Sequence, residues 1–175
     1  GITYLGDNKV TSTAQLGGSI SALLIEPRRD DANLANGRAG DRLYVAGGDQ
    51  IRVYDLASRA LIATFDLPGA QALALDTADH RVFAGSSSGV IATIDTTVEL
   101  DPLRTSSPPP APNGTVPPTL ANLGVGISLL WVSPDGSALA AGTSGSDVVA
   151  VDPTRGSLGG RVYVAGLADL ADGGN

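Results

Sequence analysis

RLYVAGGDQIRVYDLASRALIATFDLP, from Arg42 to Pro68, decides the fold. Leu43 and Val45, then Ile51 and Val53, alternate with Tyr44, Ala46, Arg52 and Tyr54, the period of two that a pleated strand requires. Gly47, Gly48 and Asp49 between the two runs predict a hairpin turn. A further strand follows, with Leu61, Ala63, Phe65 and Leu67 on one face and Ile62, Thr64 and Asp66 on the other, stopped by Pro68 and Gly69. Together with Ile20 to Ile25 upstream, the stretch predicts a four-stranded antiparallel meander.

The same phrase recurs twice more, as QALALDTADHRVFAGSSSGVIATID from Gln71 to Asp95 and ISLLWVSPDGSALAAGTSGSDVVAVD from Ile127 to Asp152. The second copy predicts strands over Ala72–Leu75, Arg81–Gly85 and Val90–Asp95. Its fourth strand is displaced to about Leu120–Leu123 by the segment from Thr97 to Leu120, whose SSPPPAP and VPP cannot donate ladder hydrogen bonds and are expected outside the sheet as an extended loop. The third copy predicts strands over Ile127–Val132, Ala138–Gly142, Val148–Asp152 and Arg161–Gly166, and a partial unit from Ile2 to Leu16 precedes them all. Copies begin at Ile20, Gln71 and Ile127, a spacing near the ~40–50 residues of blade-type repeats once insertions at 28–40 and 102–118 are discounted. The expected units are 1–19, the end of a preceding repeat; 20–69; 70–126, with its insertion at 102–118; 127–166; and a tail, 167–175. An all-β chain follows, with a sandwich as the rival that the repetition argues against.

The balance of residues agrees: Gly numbers 23 and Pro 11 while aromatics make up 4%, a mixture suited to short strands and tight turns. A formal net charge of −7 repels a phosphate backbone, so nucleic acid is not an expected partner. The absence of Cys excludes a disulfide framework or thiolate chemistry. Apolar runs are too short for membrane insertion. With no Met in the chain, the expectation is a trimmed or excised piece of a longer product.

The segments RLYVAGGDQIRVYDLASRALIATFDLP and VSPDGSALAAGTSGSDVVAVDPTRG resemble the blades of YVTN-type β-propeller repeats and, more loosely, WD40 blades. The Trp-Asp and Gly-His signatures of a WD40 blade do not occur, and Trp131 stands in a first strand. The resemblance implies about three four-stranded blades and part of another, fewer than the about four to eight of closed propellers. The remaining blades are therefore expected from the rest of the parent polypeptide or from other chains, including a homo-oligomer or filament.

Residues able to carry chemistry are few. His80, between Asp79 and Arg81, is the only histidine; without a positioned partner it reads as an exposed turn residue, and replacing all three is expected to leave assembly unaffected. Asp55, Asp95 and Asp152 recur at the end of each third strand, where a carboxylate caps the following turn; convergence on a calcium site is the rival reading. Asp135-Gly136 and the run Arg28, Arg29, Asp30, Asp31 match no complete calcium loop, and GGDQ and GSSSG lack the spacing of a phosphate cradle. No metal ligands, catalytic residues or cofactor are assigned. Asn113-Gly114-Thr115 is an N-glycosylation sequon inside a Ser/Pro-rich stretch that resembles hydroxyproline-rich surface glycoproteins of plants and green algae.

These features lead to the expectation of a non-enzymatic scaffold and protein-interaction module of an extracellular or cell-surface protein. The alternatives are part of a secreted or periplasmic propeller enzyme, lactonase-like or a redox subunit, and a cytoplasmic WD40-like scaffold.

Overall fold

Alternating apolar residues and tight turns build fourteen strands in the computed structural model, which describes residues 2–6, 9–14, 19–27, 41–56, 58–96 and 114–163. Strands β1 (Ile2–Gly6) and β2 (Lys9–Ala14) pair as a two-stranded ribbon. The first four-stranded sheet is β3 (Ala22–Glu26), β4 (Arg42–Gly47), β5 (Gln50–Asp55) and β6 (Leu61–Asp66), in that order. The second is β7 (Ala70–Asp76), β8 (Arg81–Ser86), β9 (Val90–Asp95) and β10 (Thr119–Asn122). The third is β11 (Ile127–Val132), β12 (Leu139–Thr143), β13 (Asp147–Val151) and β14 (Leu158–Tyr163). All pairings inside the sheets are antiparallel, so each is a meander of the kind a propeller blade uses.

Register fixes which side chains share a face. In the first hairpin Gly47 pairs with Gln50, leaving Gly48 and Asp49 as the turn, with Gly48 at φ +62. Tyr44 therefore lies opposite Val53, and Ala46 opposite Ile51. The sequence pattern had grouped Ile51 and Val53 with Leu43 and Val45. The actual partition follows from this two-residue turn, and β4 is buried on both faces, so its own alternation carries no polar marker.

The sheets stack through two apolar layers. One contains Tyr44, Ile51, Val53, Ala63 and Phe65 of the first sheet against Val82, Ala84, Ala92 and Ile94 of the second. The other contains Ala72, Phe83 and Ile91 of the second sheet against Ile127, Leu130, Leu139, Ala141 and Val149 of the third. No core cluster among the described residues joins the first sheet to the third.

The end of the Pro-rich segment differs from its expected place outside the sheets. Asp66 N–H donates to the Thr115 carbonyl at 2.9 Å, and Thr93 N–H to the Pro118 carbonyl at 2.9 Å. Proline lacks an N–H but keeps its carbonyl, so an edge position that only accepts suits it. Residues 97–113, Asn113 of the sequon among them, and the run 28–31 lie outside the described residues.

Phe83→Ala is expected to lower the unfolding free energy by about 3–5 kcal/mol in urea titration, the usual effect of deleting a buried aromatic side chain. Gly85→Val should also destabilise, because a Cβ there would stand 2.6 Å from Ile127 Cγ2.

Candidate functional site

Each sheet has one face toward the sheet before it and one toward the sheet after it. Facing back are Leu73, Ala84 and Ala92 in the second sheet and Leu130, Ala141 and Val149 in the third; cross-strand pairing makes Leu23 and Val45 their counterparts in the first. Facing forward are Ala22, Ala46 and Ile51, then Ala72, Gly85 and Ile91, and in the third sheet Leu129, Gly142 and Val148.

The two outermost faces show large apolar groups to solvent. On the back face of the first sheet Leu23 is 59% exposed and Ile25 58%, whereas their counterpart Leu130 in the third sheet is 5% exposed. Leu43 and Val45 on that same face are buried with Tyr54 and Leu56 around them, so the exposure lies at the two edge strands, β3 and, at Leu61, β6. On the forward face of the third sheet Leu129 is 64% exposed and Trp131 55%, beside Ala140, which pairs with Trp131, and Ala150, which pairs with Ala140. Their counterparts Ala72 and Ala74 in the second sheet are buried. Contiguous apolar groups of this size on a sheet face mark a place for another surface to pack.

Polar staples hold the stacked sheets in register. Tyr44 donates to Glu26 Oε2 at 2.7 Å, and Arg42 lies 3.5 Å from the same oxygen, all three side chains buried. Arg42 Nη1 also donates to the Thr96 carbonyl at 3.0 Å, reaching from the first sheet to the second. The Thr96 hydroxyl lies 2.9 Å from Glu26 Oε1 and 2.9 Å from the His80 carbonyl. Burial first, and the neighbouring Glu26 carboxylate second, push the Tyr44 hydroxyl well above the ordinary phenol range.

The second sheet repeats the device. Arg81 Nη2 meets Asp76 Oδ2 at 2.8 Å and Asp79 Oδ2 at 2.6 Å, while its Nη1 donates to the Pro153 carbonyl of the third sheet at 2.9 Å. The guanidinium also stands 5.3 Å from the Phe83 ring centre, within cation–π reach. Arg81 is thus a joint between sheets, and the expectation that the Asp79-His80-Arg81 turn is dispensable for assembly is corrected accordingly. His80 itself is half-buried at φ +56, and its main-chain carbonyl anchors Thr96. In the third sheet Ala138 takes the place of Arg42 and Arg81.

Two of the three recurring aspartates, Asp55 and Asp152, cap turns. Asp55 Oδ1 accepts from Ser58 N–H at 2.6 Å and from its hydroxyl at 2.7 Å. Asp152 Oδ1 accepts from Thr154 N–H, the Thr154 hydroxyl and Arg155 N–H, and these bonds, the Thr154 hydroxyl foremost, lower its pKa. Asp95 ends β9 opposite Arg81. Asp135 is held at about 2 by the Ser133 hydroxyl first, then Ser137. Among the described residues no three His, Asp or Glu side chains gather around a common point that could hold a metal ion, and no helix is long and apolar enough to cross a membrane.

The staples were legible in principle. A carboxylate closing the first strand and an Arg opening the second occur in both earlier copies, Glu26 with Arg42 and Asp76 with Arg81.

Because the folded state keeps the Tyr44 hydroxyl protonated, its contribution is complete below about pH 10, where unfolded tyrosine remains neutral. Stability should fall as pH rises above that value, as read from urea midpoints, and Tyr44→Phe should weaken this alkaline dependence while costing about 1–3 kcal/mol at neutral pH. Arg81→Met, which strands the buried Asp76 carboxylate, is expected to cost about 3–5 kcal/mol, with most of it recovered when Asp76→Asn is added.

No described protein family matches the sequence, and no curated protein resembles it in sequence. Solved structures do resemble it in shape. Hydrazine synthase of Kuenenia stuttgartiensis superposes with a TM-score of 0.55 at 14% identity, over 71% of this chain and 33% of that one. A chain of the mitotic checkpoint complex gives 0.51 at 19% identity, over 70% and 33%. The match spans about a third of each of those chains. Matches extend to 824 solved chains, and a fold used so widely selects no single reaction. The expectation of a non-enzymatic protein is corrected by the first of these: the fold is shared with an enzyme, so the repeat architecture does not exclude catalysis. What these likenesses establish is the architecture, an all-β, propeller-like stack of four-stranded sheets, in which no contact among the described core residues closes the first sheet onto the third.

Proposed function

We propose that the chain is a propeller-type scaffold that engages other protein through its uncovered sheet faces. One observation carries this: Leu23, Ile25, Leu129 and Trp131 stand exposed at positions whose counterparts are covered wherever one sheet packs on another. Packing by a further sheet removes these groups from water at about 25 cal/mol per Å² of apolar surface. The kinship to YVTN-type repeats is part of the same proposal and rests on the residue pattern.

Diluted until monomeric, the chain should bind an apolar fluorescent dye, and the pair Leu129→Glu and Trp131→Glu should reduce that binding with the far-UV spectrum unchanged. A folded monomer that takes up no dye would sink the scaffold reading.

An extracellular or cell-surface setting belongs to the proposal through Asn113 and the prolines around it. In protein isolated from its source, mass spectrometry of the peptide containing Asn113 should find a glycan or hydroxylated proline. An unmodified peptide would count against that setting.

A further inference from the structure

Resting on the scaffold reading, we propose that the partner at the third sheet's open face is a second copy of this chain, docking through β3 and the residues that lead into it from Ile20. The chain carries both halves of an interface that it already makes internally. Between the second and third sheets, Ile127 is fully buried and sits over Gly85, where a Cβ would meet its Cγ2 at 2.6 Å. Gln71 Nε2 donates to the Ile127 carbonyl at 2.8 Å and fixes the approach.

Register places Gly142 where Gly85 stands. Among the described residues the atoms nearest a Cβ on Gly142 belong to its own sheet, Leu129 Cβ first at 3.3 Å, so none of them fills the seat on the forward face. Register likewise places Ile20 where Ile127 stands, two residues before Ala22 as Ile127 is two before Leu129, with Ser21 N–H bonded to the Ala46 carbonyl at 2.9 Å. Ile20 is 39% exposed where Ile127 is covered. Ile20, Leu23 and Ile25 thus occupy the positions of the inserting edge Ile127, Leu130 and Val132, and Gly142 repeats the small-residue seat at Gly85, with Leu129 and Trp131 around it in place of Ala72 and Ala74.

The contact is head-to-tail, a form that closes into a ring when the rotation allows it. Two copies bring roughly six four-stranded sheets, inside the range of about four to eight for closed propellers. Ala138 leaves this junction without an Arg staple, so apolar packing holds it and its affinity should respond little to salt.

The full chain contains no Cys, which makes single-thiol variants clean reporters. Ile20→Cys and Leu129→Cys are prepared separately and treated with a short thiol-to-thiol crosslinker, alone and mixed. Only the mixture should give a cross-linked pair. Sedimentation should show a reversible species of two copies. Emission from Trp131, the only tryptophan, should move to the blue as that species forms. Trp131→Glu should weaken association by about thirtyfold or more, the effect of removing an aromatic anchor, while Trp131→Phe retains it. Cross-linking within either single variant would overturn the head-to-tail contact. A chain that stays monomeric at every concentration would overturn self-association; if that monomer still binds dye in a Trp131-dependent way, the scaffold reading stands with a different occupant, and if it binds none, both fall.

Discussion

A four-stranded sheet with apolar side chains on both faces must be covered on both, and the rest of this structure depends on that constraint. The second sheet satisfies it: Leu73, Ala84 and Ile94 pack against the first sheet, and Ala72, Phe83 and Ile91 against the third. No polar face is left to β8, whose residues from Val82 to Ser86 are all buried. A sandwich solves the same problem with one apolar and one wet face per sheet, which is why its strands alternate cleanly. Here the middle strands are buried on both sides, and stacking becomes the only consistent arrangement.

Stacking by apolar contact alone would let the sheets slide, since the hydrophobic effect has no direction. The Arg staples supply direction. Arg42 and Arg81 each pair with a carboxylate on their own sheet and donate to a main-chain carbonyl of the next, at Thr96 and at Pro153. Burying such a pair costs desolvation that the attraction only partly offsets, so the gain in net stability is small. What the pair contributes is a fixed register, because a guanidinium displaced from its carbonyl acceptor leaves buried charge uncompensated. The staple also explains a carboxylate set among apolar strand residues: Glu26 and Asp76 are there to neutralise the Arg that crosses.

Much of the fold was legible because backbone chemistry states it locally. Period-two runs, Gly-rich turns and the recurrence of the phrase locate the strands of the three sheets, and the displaced fourth strand of the second sheet appears at β10, close to its expected place. Face assignment was less legible, since a two-residue turn at Gly48 and Asp49 sets it and β4 carries no polar alternation to betray a shift. Turn caps at Asp55 and Asp152 could be read because Asp accepts from N–H groups two and three residues on. The staples and the uncovered faces could not be read from a single copy. The staples emerge when the copies are aligned, Arg42 with Arg81 and Ala138, and the uncovered faces when equivalent positions are compared in space, Leu130 with Leu23.

The seats between sheets link this geometry to function. Small residues at Ala46 and Gly85 let the next sheet's first strand approach closely, and a Cβ at Gly85 would already crowd Ile127. Close approach in turn requires the facing strand to present a compact aliphatic group, which Ile127 provides. Gly142 continues the series on a face that none of the described residues packs against, while Leu129 and Trp131 beside it are larger than the buried Ala72 and Ala74 they replace. The third sheet thus keeps the seat of an internal junction but surrounds it with bulkier groups and omits the Arg staple. A face built in that way takes its specificity from shape around one open seat, and a surface that lacks a small-residue notch has no means of offering the same fit.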